Sequence, residues 1–467
     1  MARKSSSSLS LENLVALGTE KLAQLVLDET RTNAPFRKKA NAALAGVKGA
    51  DAVAALVDRR LAALERARSM LAWEKEKEFA ADLAATVDAI VKELAAADAA
   101  LAIERLLRFI DTHAIVFERI DDSSGRIQDV YWRAAQSAPE LAARLPEDQR
   151  AELIKQLTKS LDVDTHGLGS DVAMAIAALL PGPALATFDQ SLKEAGGDDR
   201  YIAVRQAIAE AREDLDQFLA LEAQRSEWNQ DPLRAAEKLL SAGRHDEALS
   251  WARRERRGGF AYATATDVAD GLIKRPHDLQ RVDLEARILD AQGERSAAQT
   301  LRWQAFETTL DPGVLRAFLK KLGDFEEDDA IERAFAHAET SRQIYTALEF
   351  FIAWPRLDRA AKLVLAKSGK WDGRHYGPLS GAAATLEETF PLAASVLYRA
   401  LLDDILTRGK SQAYGHGARY LAKLESLAEE IPDWDGIDSH VAYALGLQKG
   451  HGRKYGFWSL TAPKPKR

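Results

Sequence analysis

Chemically reactive side chains are concentrated in two short segments of this 467-residue chain. The densest set of oxygen ligands lies in residues 118–129, where Asp121 and Ser123 match the first and third positions of a calcium-binding loop. Arg126, however, stands where such a loop needs glycine, and Trp132 stands where it needs glutamate. The segment is therefore predicted to be a turn between helices, with a partner-binding loop as the first alternative and a cation site as the weakest one.

The second segment, residues 164–171, holds a histidine, a serine and two aspartates, which are the residue types of hydrolytic triads. A triad requires side chains that converge in space, and no Gly-x-Ser-x-Gly nucleophile elbow surrounds Ser170. Gly167 and Gly169 precede a predicted helix, but the lysine and the preceding strand of a phosphate-binding loop are missing. Ser170 is therefore predicted to cap the N-terminus of that helix.

Metal ligands are sparse in this sequence. The chain has no cysteine, which excludes disulfides, thiolate zinc sites, iron–sulfur clusters and cysteine nucleophiles. His113 and His375 are isolated in sequence, and no two histidines have the spacing of a metal-binding helix. The sequence therefore predicts neither a metal site nor a cofactor.

Basic side chains form two clusters. The arginines of residues 253–257 end a predicted helix, where cations complement the helix dipole. Residues 449–467 contain basic and aromatic side chains but no acid. Cations fit phosphates and aromatic rings stack on bases, so the candidate nucleic-acid contacts are Arg453, Lys454, Tyr455 and Trp458. The interpretation favoured for this segment is, however, that these aromatic side chains dock on the last helices as an apolar plug.

The elements that carry these residues are predicted to be helices. Ala, Leu, Glu, Arg and Lys fill nearly every long segment, and β-branched runs of strand length are scarce. In residues 74–96, for example, Phe79, Leu83 and Val87 recur at four-residue steps, which is typical of an amphipathic helix.

A helix–turn–helix pattern recurs in the second half of the chain. Residues 235–249 end one helix at Gly243 and begin the next at once, and residues 284–305 repeat this arrangement around Gly293. A weaker copy surrounds Pro355. Small residues let two helices approach and glycine closes the turn, as in tetratricopeptide units. We therefore predict an all-α fold, an irregular α-solenoid of antiparallel helix hairpins that is tetratricopeptide-like in its second half.

Two parts of the sequence resemble known families. The first comprises residues 106–109 and 116–125, and the second comprises residues 414–424 and 454–458. Together they resemble a bacterial family of all-helical proteins known only as a domain of unknown function. The closing part also resembles the C-terminal helical region of bacterial SWIM zinc-finger proteins. The resemblance implies a helical-repeat fold without an assigned activity, and no zinc finger, since the chain lacks cysteine.

Length and composition indicate how the chain is organised. A chain this long exceeds the size of a single core, which predicts several domains or a repeat array. The longest apolar stretch, residues 172–188, is interrupted by Pro181 and Pro183, so no membrane span is expected. The missing signal-peptide core and the lack of cysteine predict a cytoplasmic protein. The formal charge of −7 argues against a protein that coats nucleic acid or an anionic membrane. The predicted regions are a flexible tail at 1–10, an N-terminal helical region at 11–160, a middle helical region at 161–225, a tetratricopeptide-like region at 226–448 and a basic aromatic tail at 449–467.

Because no enzyme motif is present, the function predicted is non-enzymatic: protein–protein interaction or scaffolding through an extended helical-repeat surface, with a protein or peptide partner. The candidate partner-binding residues are Asp121, Asp122, Trp251, Arg254 and Trp303. The alternative is a nucleic-acid-associated protein anchored by the C-terminal tail. A second alternative is an enzyme with an unrecognised site at Asp121, Asp122 and His166.

Overall fold

The structure is a computed structural model that describes residues 9–254, 278–323 and 326–461. Within these ranges every regular element is helical and no strand occurs, so the predicted all-α class is confirmed. The assembly of the hairpins into a solenoid stays a prediction. No helix in the described ranges is both long enough and apolar enough to cross a membrane.

The described residues divide into two compact units, 9–238 and 239–461. Each unit has its own large cluster of buried hydrophobic side chains, and the two clusters share no residue. The five regions predicted from the sequence are not tested by this division and stay predictions.

The N-terminal unit consists of helices joined by short turns. A 3₁₀ turn (Trp73–Lys75) and a π-helical turn (Ala89–Leu94) accompany them. The last helix, α15, continues past the boundary of the unit. The helices are α1 (Leu11–Val15), α2 (Thr19–Thr32), α3 (Ala34–Lys48), α4 (Ala50–Arg66), α5 (Glu76–Asp88), α6 (Ala95–Ala97), α7 (Ala99–Asp111), α8 (His113–Phe117), α9 (Arg126–Ala142), α10 (Glu147–Asp162), α11 (Leu168–Ala177), α12 (Gly182–Ala195), α13 (Asp199–Ala211), α14 (Leu215–Glu222) and α15 (Pro232–Ser241).

Helices α7 and α10 position the candidate site described below. Helix α7 begins at Asp98, whose side chain accepts a hydrogen bond from the backbone N–H of Leu101 at 2.9 Å and so caps the helix. One face of α7 is buried against α9, and α10 packs beside α7 with its own apolar face turned inward. The polar faces of both helices consequently remain at the surface of the unit.

The C-terminal unit contains two of the predicted helix hairpins, those around Gly293 and Pro355. Gly293 ends α17 with a φ of 86°, a left-handed conformation that glycine adopts without strain, and α18 packs back on α17. The pair α21 and α22 packs in the same way around Pro355. The helices are α16 (His245–Ala252), α17 (Leu279–Gln292), α18 (Arg295–Thr309), α19 (Pro312–Leu319), α20 (Glu327–Thr340), α21 (Ile344–Ala353), α22 (Leu357–Ala366), α23 (Tyr376–Leu386), α24 (Pro391–Thr407), α25 (Tyr414–Ala428), α26 (His440–His451) and α27 (Tyr455–Thr461).

Candidate functional site

Two polar segments that are far apart in sequence meet inside the N-terminal unit. The start of α8 places His113 against Asp164, which lies in the loop between α10 and α11. Both side chains are 1% exposed, and Nε2 of His113 lies 3.6 Å from Oδ1 of Asp164. His113, which the sequence shows only as an isolated histidine, is thus part of a buried polar pair.

Asp164 also organises the start of α11. Its Oδ2 accepts hydrogen bonds from the backbone N–H of Ser170 at 2.8 Å and from the Ser170 hydroxyl at 2.7 Å. The prediction that Ser170 caps this helix is wrong, because Gly167 occupies the N-cap position and Ser170 lies in the first turn. A carboxylate at a helix N-terminus is favoured by unpaired N–H groups and by the helix dipole. Asp164 supplies the cap that Ser170 was expected to supply.

The contact between His113 and Asp164 is a close approach of two buried polar atoms and is not a hydrogen bond. Nδ1 of His113 donates to the Ile110 carbonyl at 2.8 Å, so Nε2 of the neutral ring is an acceptor. Burial lowers the pKa of His113, although the nearby Asp164 carboxylate raises it. Within the described residues neither Nε2 nor Oδ1 has a hydrogen-bond partner, so hydrogen bonds do not compensate the burial of these two atoms.

Ser170, Asp164 and His113 do not form the hydrogen-bond chain of a Ser-His-Asp triad. The Ser170 hydroxyl donates to the Asp164 carboxylate, and within the described residues no hydrogen bond joins it to a histidine. Rings enclose His113, since its centroid lies 5.5 Å from that of the exposed His166 and 6.5 Å from that of Tyr131. Across the described ranges, no group of three or more His, Asp or Glu side chains is arranged to hold a metal ion.

A groove with a volume of about 900 Å³ lies between α7 and α10, beside the buried pair. The side-chain amide of Gln156 on α10 donates to the Glu104 carbonyl on α7 at 3.0 Å and connects the two walls. Asp111 lines the groove at the end of α7, and burial raises its pKa to about 6. The apolar part of the lining is Ala100, Leu101, Ile103, Ile115, Leu145, Leu153 and Val163.

Charged side chains of α10 line this groove in a fixed order. Asp148 and Glu152 come first, and Lys155 and Lys159 follow. Their spacing places all four on one side of the helix. All four are exposed, and none forms an ion pair in the part of the chain that the structure describes. The groove therefore has an acidic end and a basic end on its α10 wall.

The charged side chains of the opposite wall are already paired. Arg108 on α7 forms ion pairs with Glu65 at 2.7 Å and with Asp58 at 3.1 Å. Glu104 forms an ion pair with its neighbour Arg105 at 2.6 Å. These pairs join three carboxylates to two guanidinium groups, so the groove charges without an ion pair in the described residues are those of α10 and Asp111.

A second exposed feature of the unit is apolar. Helices α1 and α2 contain no buried residue, and α3 exposes Leu44 and Val47. Helices of this length gain most of their stability by packing an apolar face. Exposed apolar patches commonly mark interaction surfaces. The exposed aliphatic side chains of α1 to α3 are therefore available for contacts outside the core of the unit.

Asp121 and Asp122 lie in a capping turn before α9. Asp122 accepts hydrogen bonds from the backbone N–H of Ile127 at 3.1 Å and of Gln128 at 2.8 Å, and Asp121 accepts one from Ser123 at 3.1 Å. Within the described ranges no hydrogen bond joins either aspartate to the third residue of the predicted enzyme site, His166. A partner-binding role of Asp121 and Asp122 stays a prediction.

Trp251 and Trp303 lie largely inside the C-terminal unit, since each is 7% exposed. Arginine side chains stack on their remaining surface: the guanidinium carbon of Arg254 lies 3.5 Å from the Trp251 ring centroid, and that of Arg333 lies 3.8 Å from the Trp303 centroid. Such stacking buries the ring face and keeps the cation at the surface. Partner binding by Trp251, Arg254 and Trp303 also stays a prediction.

The aromatic side chains near the C-terminus dock on the two helices before them, α25 and α26. Phe457 is fully buried and its ring centroid lies 5.8 Å from that of Tyr414 on α25. The indole N–H of Trp458 donates to the His451 carbonyl at 2.9 Å. Residues 462–467 lie outside the described residues. The contact to nucleic acid stays a prediction for Arg453, Lys454, Tyr455 and Trp458, of which Tyr455 and Arg453 are exposed.

The groove is not among the features predicted from the sequence. The order of charges on α10 is visible in the sequence, but a charged stripe is ordinarily the solvent face of a helix. Because α10 packs beside α7, the charged face of α10 becomes one wall of the groove. No local sequence pattern predicts that these two helices pack together.

Comparison with known proteins places the chain in one family. The model of the family described as "Family of unknown function (DUF6880)" matches residues 4–203 and residues 189–460. No curated protein sequence matches the chain significantly. The predicted resemblance to a family of unknown function is thus confirmed at that level, whereas the bacterial source and the relation to SWIM zinc-finger proteins stay predictions.

Proposed function

The chain belongs to the DUF6880 family, a family of unknown function, and we propose that it is a non-enzymatic protein that binds a protein or peptide partner. The supporting observation is the groove between α7 and α10, whose α10 wall carries four exposed charges without ion pairs in the described ranges. Grooves between helices are common binding sites for peptide segments. A scaffold role is consistent with such binding, because a scaffold needs surfaces and no reactive centre.

The chemistry of the groove favours a polypeptide as its occupant. Its lining combines aliphatic side chains with charges of both signs, which suits a chain with mixed side chains. A nucleic acid would meet Asp148 and Glu152 as well as Asp111, and these acids repel phosphates. A peptide with side chains of both charges can form ion pairs with the acidic end and with the basic end of the groove.

The test is affinity purification from native lysate after nuclease treatment, read by mass spectrometry. The full-length wild type is compared with a groove variant, Glu152→Lys with Lys159→Glu, which keeps the net charge. The matched control exchanges two exposed charges outside the groove, Glu140→Lys with Lys193→Glu. We expect a protein that is recovered with the wild type and the control, but about tenfold less with the groove variant.

Recovery of the same proteins with all three chains would contradict the proposed function. Recovery of nucleic acid alone from lysate without nuclease would replace it with the nucleic-acid alternative. Circular dichroism of each variant confirms that the helices are intact, as expected for substitutions of exposed side chains.

A further inference from the structure

The groove between α7 and α10 has a polarity that restricts what its occupant can be. Asp148 and Glu152 lie in the first half of α10, whereas Lys155 and Lys159 lie in the second half. Each pair is four residues apart, so the two members of a pair lie one above the other on the helix. Two carboxylates at one end and two ammonium groups at the other form a charge gradient along the wall.

Two contacts between α10 and α7 show where this charge gradient lies along the opposite wall. Gln156 contacts the carbonyl of Glu104 in the middle of α7, and Lys159 lies near Asp111 at the end of α7. The basic end of the groove therefore coincides with the C-terminal end of α7. Asp111 is more deeply buried than the two lysines and partly offsets their charge.

The length of the charged stripe sets the length of the occupant. From Asp148 to Lys159 the helix rises about 16 Å at 1.5 Å per residue. A peptide in the extended polyproline II conformation advances about 3.1 Å per residue, so about five residues cover the stripe. The centres of the acidic and basic pairs are about 10 Å apart along the helix, which corresponds to about three residues of this conformation. Because polyproline II repeats every three residues, side chains at this spacing face the same wall.

We propose that the groove binds an extended peptide segment of about five residues that carries a cationic and an anionic side chain about three residues apart. The cation lies beside Asp148 and Glu152, the anion lies beside Lys155 and Lys159, and the residues between them contact the aliphatic lining. This inference rests on the proposed function and adds the chemistry of the partner. Opposite charges at both ends give specificity, because a segment with only one sign of charge meets like charge at one end.

The test uses four fluorescent five-residue peptides of one neutral, extended scaffold. One carries a lysine and a glutamate three residues apart, two carry only one of these charges, and one carries neither. Their binding to the full-length protein is measured by fluorescence polarisation at low salt, where exposed charges are least screened. We expect the peptide with both charges to bind at least tenfold more tightly than the neutral one.

Two neutralising variants assign each charge to its end of the groove. Asp148→Asn with Glu152→Gln should abolish the preference for the lysine and retain that for the glutamate. Lys155→Gln with Lys159→Gln should do the reverse, and the control Glu140→Gln should change neither. Neutral variants are used because a peptide could bind a charge-reversed groove in the opposite direction.

Equal binding of the four peptides to the wild type, or preferences that both variants leave unchanged, would overturn this inference. The proposed function fails separately, when no protein partner depends on the groove in the affinity purification. Displacement of the peptide by a single-stranded oligonucleotide that itself requires Lys155 and Lys159 would identify the groove as a nucleic-acid site and overturn both.

Discussion

At the scale of single residues, the buried carboxyl groups of the N-terminal unit differ in how well hydrogen bonds compensate their burial. Asp164 accepts two hydrogen bonds from Ser170 at the start of α11, so its burial is compensated at one oxygen. Asp111 has less compensation, because burial outweighs the opposing effects of the Ser160 hydroxyl and Lys159 and raises its pKa to about 6. A carboxyl that ionises with difficulty in the folded state makes the stability of the protein depend on pH.

The change Asp111→Asn tests this dependence. The pKa of Asp111 is raised from 3.8 to about 6 in the folded state, so its proton stabilises the fold below pH 3.8 and this contribution is lost as the pH rises through 6. At pH 8 the wild type carries a buried negative charge that the asparagine variant lacks. We expect the variant to be more stable than the wild type by about 3 kcal/mol at pH 8, with a difference below about 1 kcal/mol near pH 4.

Urea unfolding at the two pH values, followed by circular dichroism, measures the difference. Asp148→Asn is the matched control in the same groove, and as an exposed substitution it should change the stability by less than about 0.5 kcal/mol at either pH. A stabilisation by Asp111→Asn that is the same at pH 4 and pH 8 would exclude the ionisation of Asp111 as its cause.

At the scale of elements, the C-terminal helix α27 shows how an apolar plug is held. Phe457 is fully buried, and a Cβ atom built at Gly417 on α25 would lie 3.1 Å from the Phe457 ring. Gly417 thus leaves room for the ring between α25 and the side chains of Leu402 and Ile405 on α24. Deleting residues 449–467 to test nucleic-acid binding would also remove this core residue, so point variants of exposed residues are the better test.

Substitution of Phe457 by alanine should destabilise the C-terminal unit by about 3–5 kcal/mol, the usual effect of removing a buried phenylalanine ring. Tyr455→Ala, in the same short helix but 78% exposed, should change the stability by less than about 0.5 kcal/mol. Chemical denaturation of the wild type and both variants measures the two changes in the free energy of unfolding. Similar, small effects of the two substitutions would show that α27 does not stabilise the unit.

The sequence predicts the elements better than it predicts the site. Helix signals are local: the predicted glycine turns at Gly243 and Gly293 both lie where the structure has a helix boundary. The prediction that Ser170 caps α11 is wrong for a different reason. The capping side chain is that of Asp164, six residues earlier in the chain. A cap supplied by a side chain outside the usual window cannot be read from local spacing.

The candidate site could not be predicted for the same reason at longer range. His113 and Asp164 are brought together by the packing of α7, α8 and α10, and the groove exists only because α10 lies beside α7. Hydrophobic periodicity states which face of each helix is buried, but it does not state which helix covers it. Residues identified by their type alone, such as Asp121, Asp122 and Trp251, are held by local caps and ring stacking.

At the scale of the whole molecule, the two units have separate cores. The large buried cluster of the N-terminal unit extends from Ala42 to Ile208, and that of the C-terminal unit extends from Trp303 to Phe457. A unit with its own contiguous hydrophobic core can fold alone, because the apolar burial that opposes chain entropy lies within it. The groove and the buried pair of His113 and Asp164 both lie in the N-terminal unit.

A fragment of residues 1–243, which ends just after α15, should therefore fold without the rest of the chain. We expect a helical circular dichroism spectrum, a single cooperative urea transition, and the same pH-dependent effect of Asp111→Asn as in the full-length protein. A shorter fragment, residues 1–195, lacks α13 and with it the core residues Val204 and Ile208, so it should lose cooperativity. If fragment 1–243 unfolds without a cooperative transition while the full chain unfolds cooperatively, the N-terminal core depends on the other unit, and the groove must then be studied only in the intact protein.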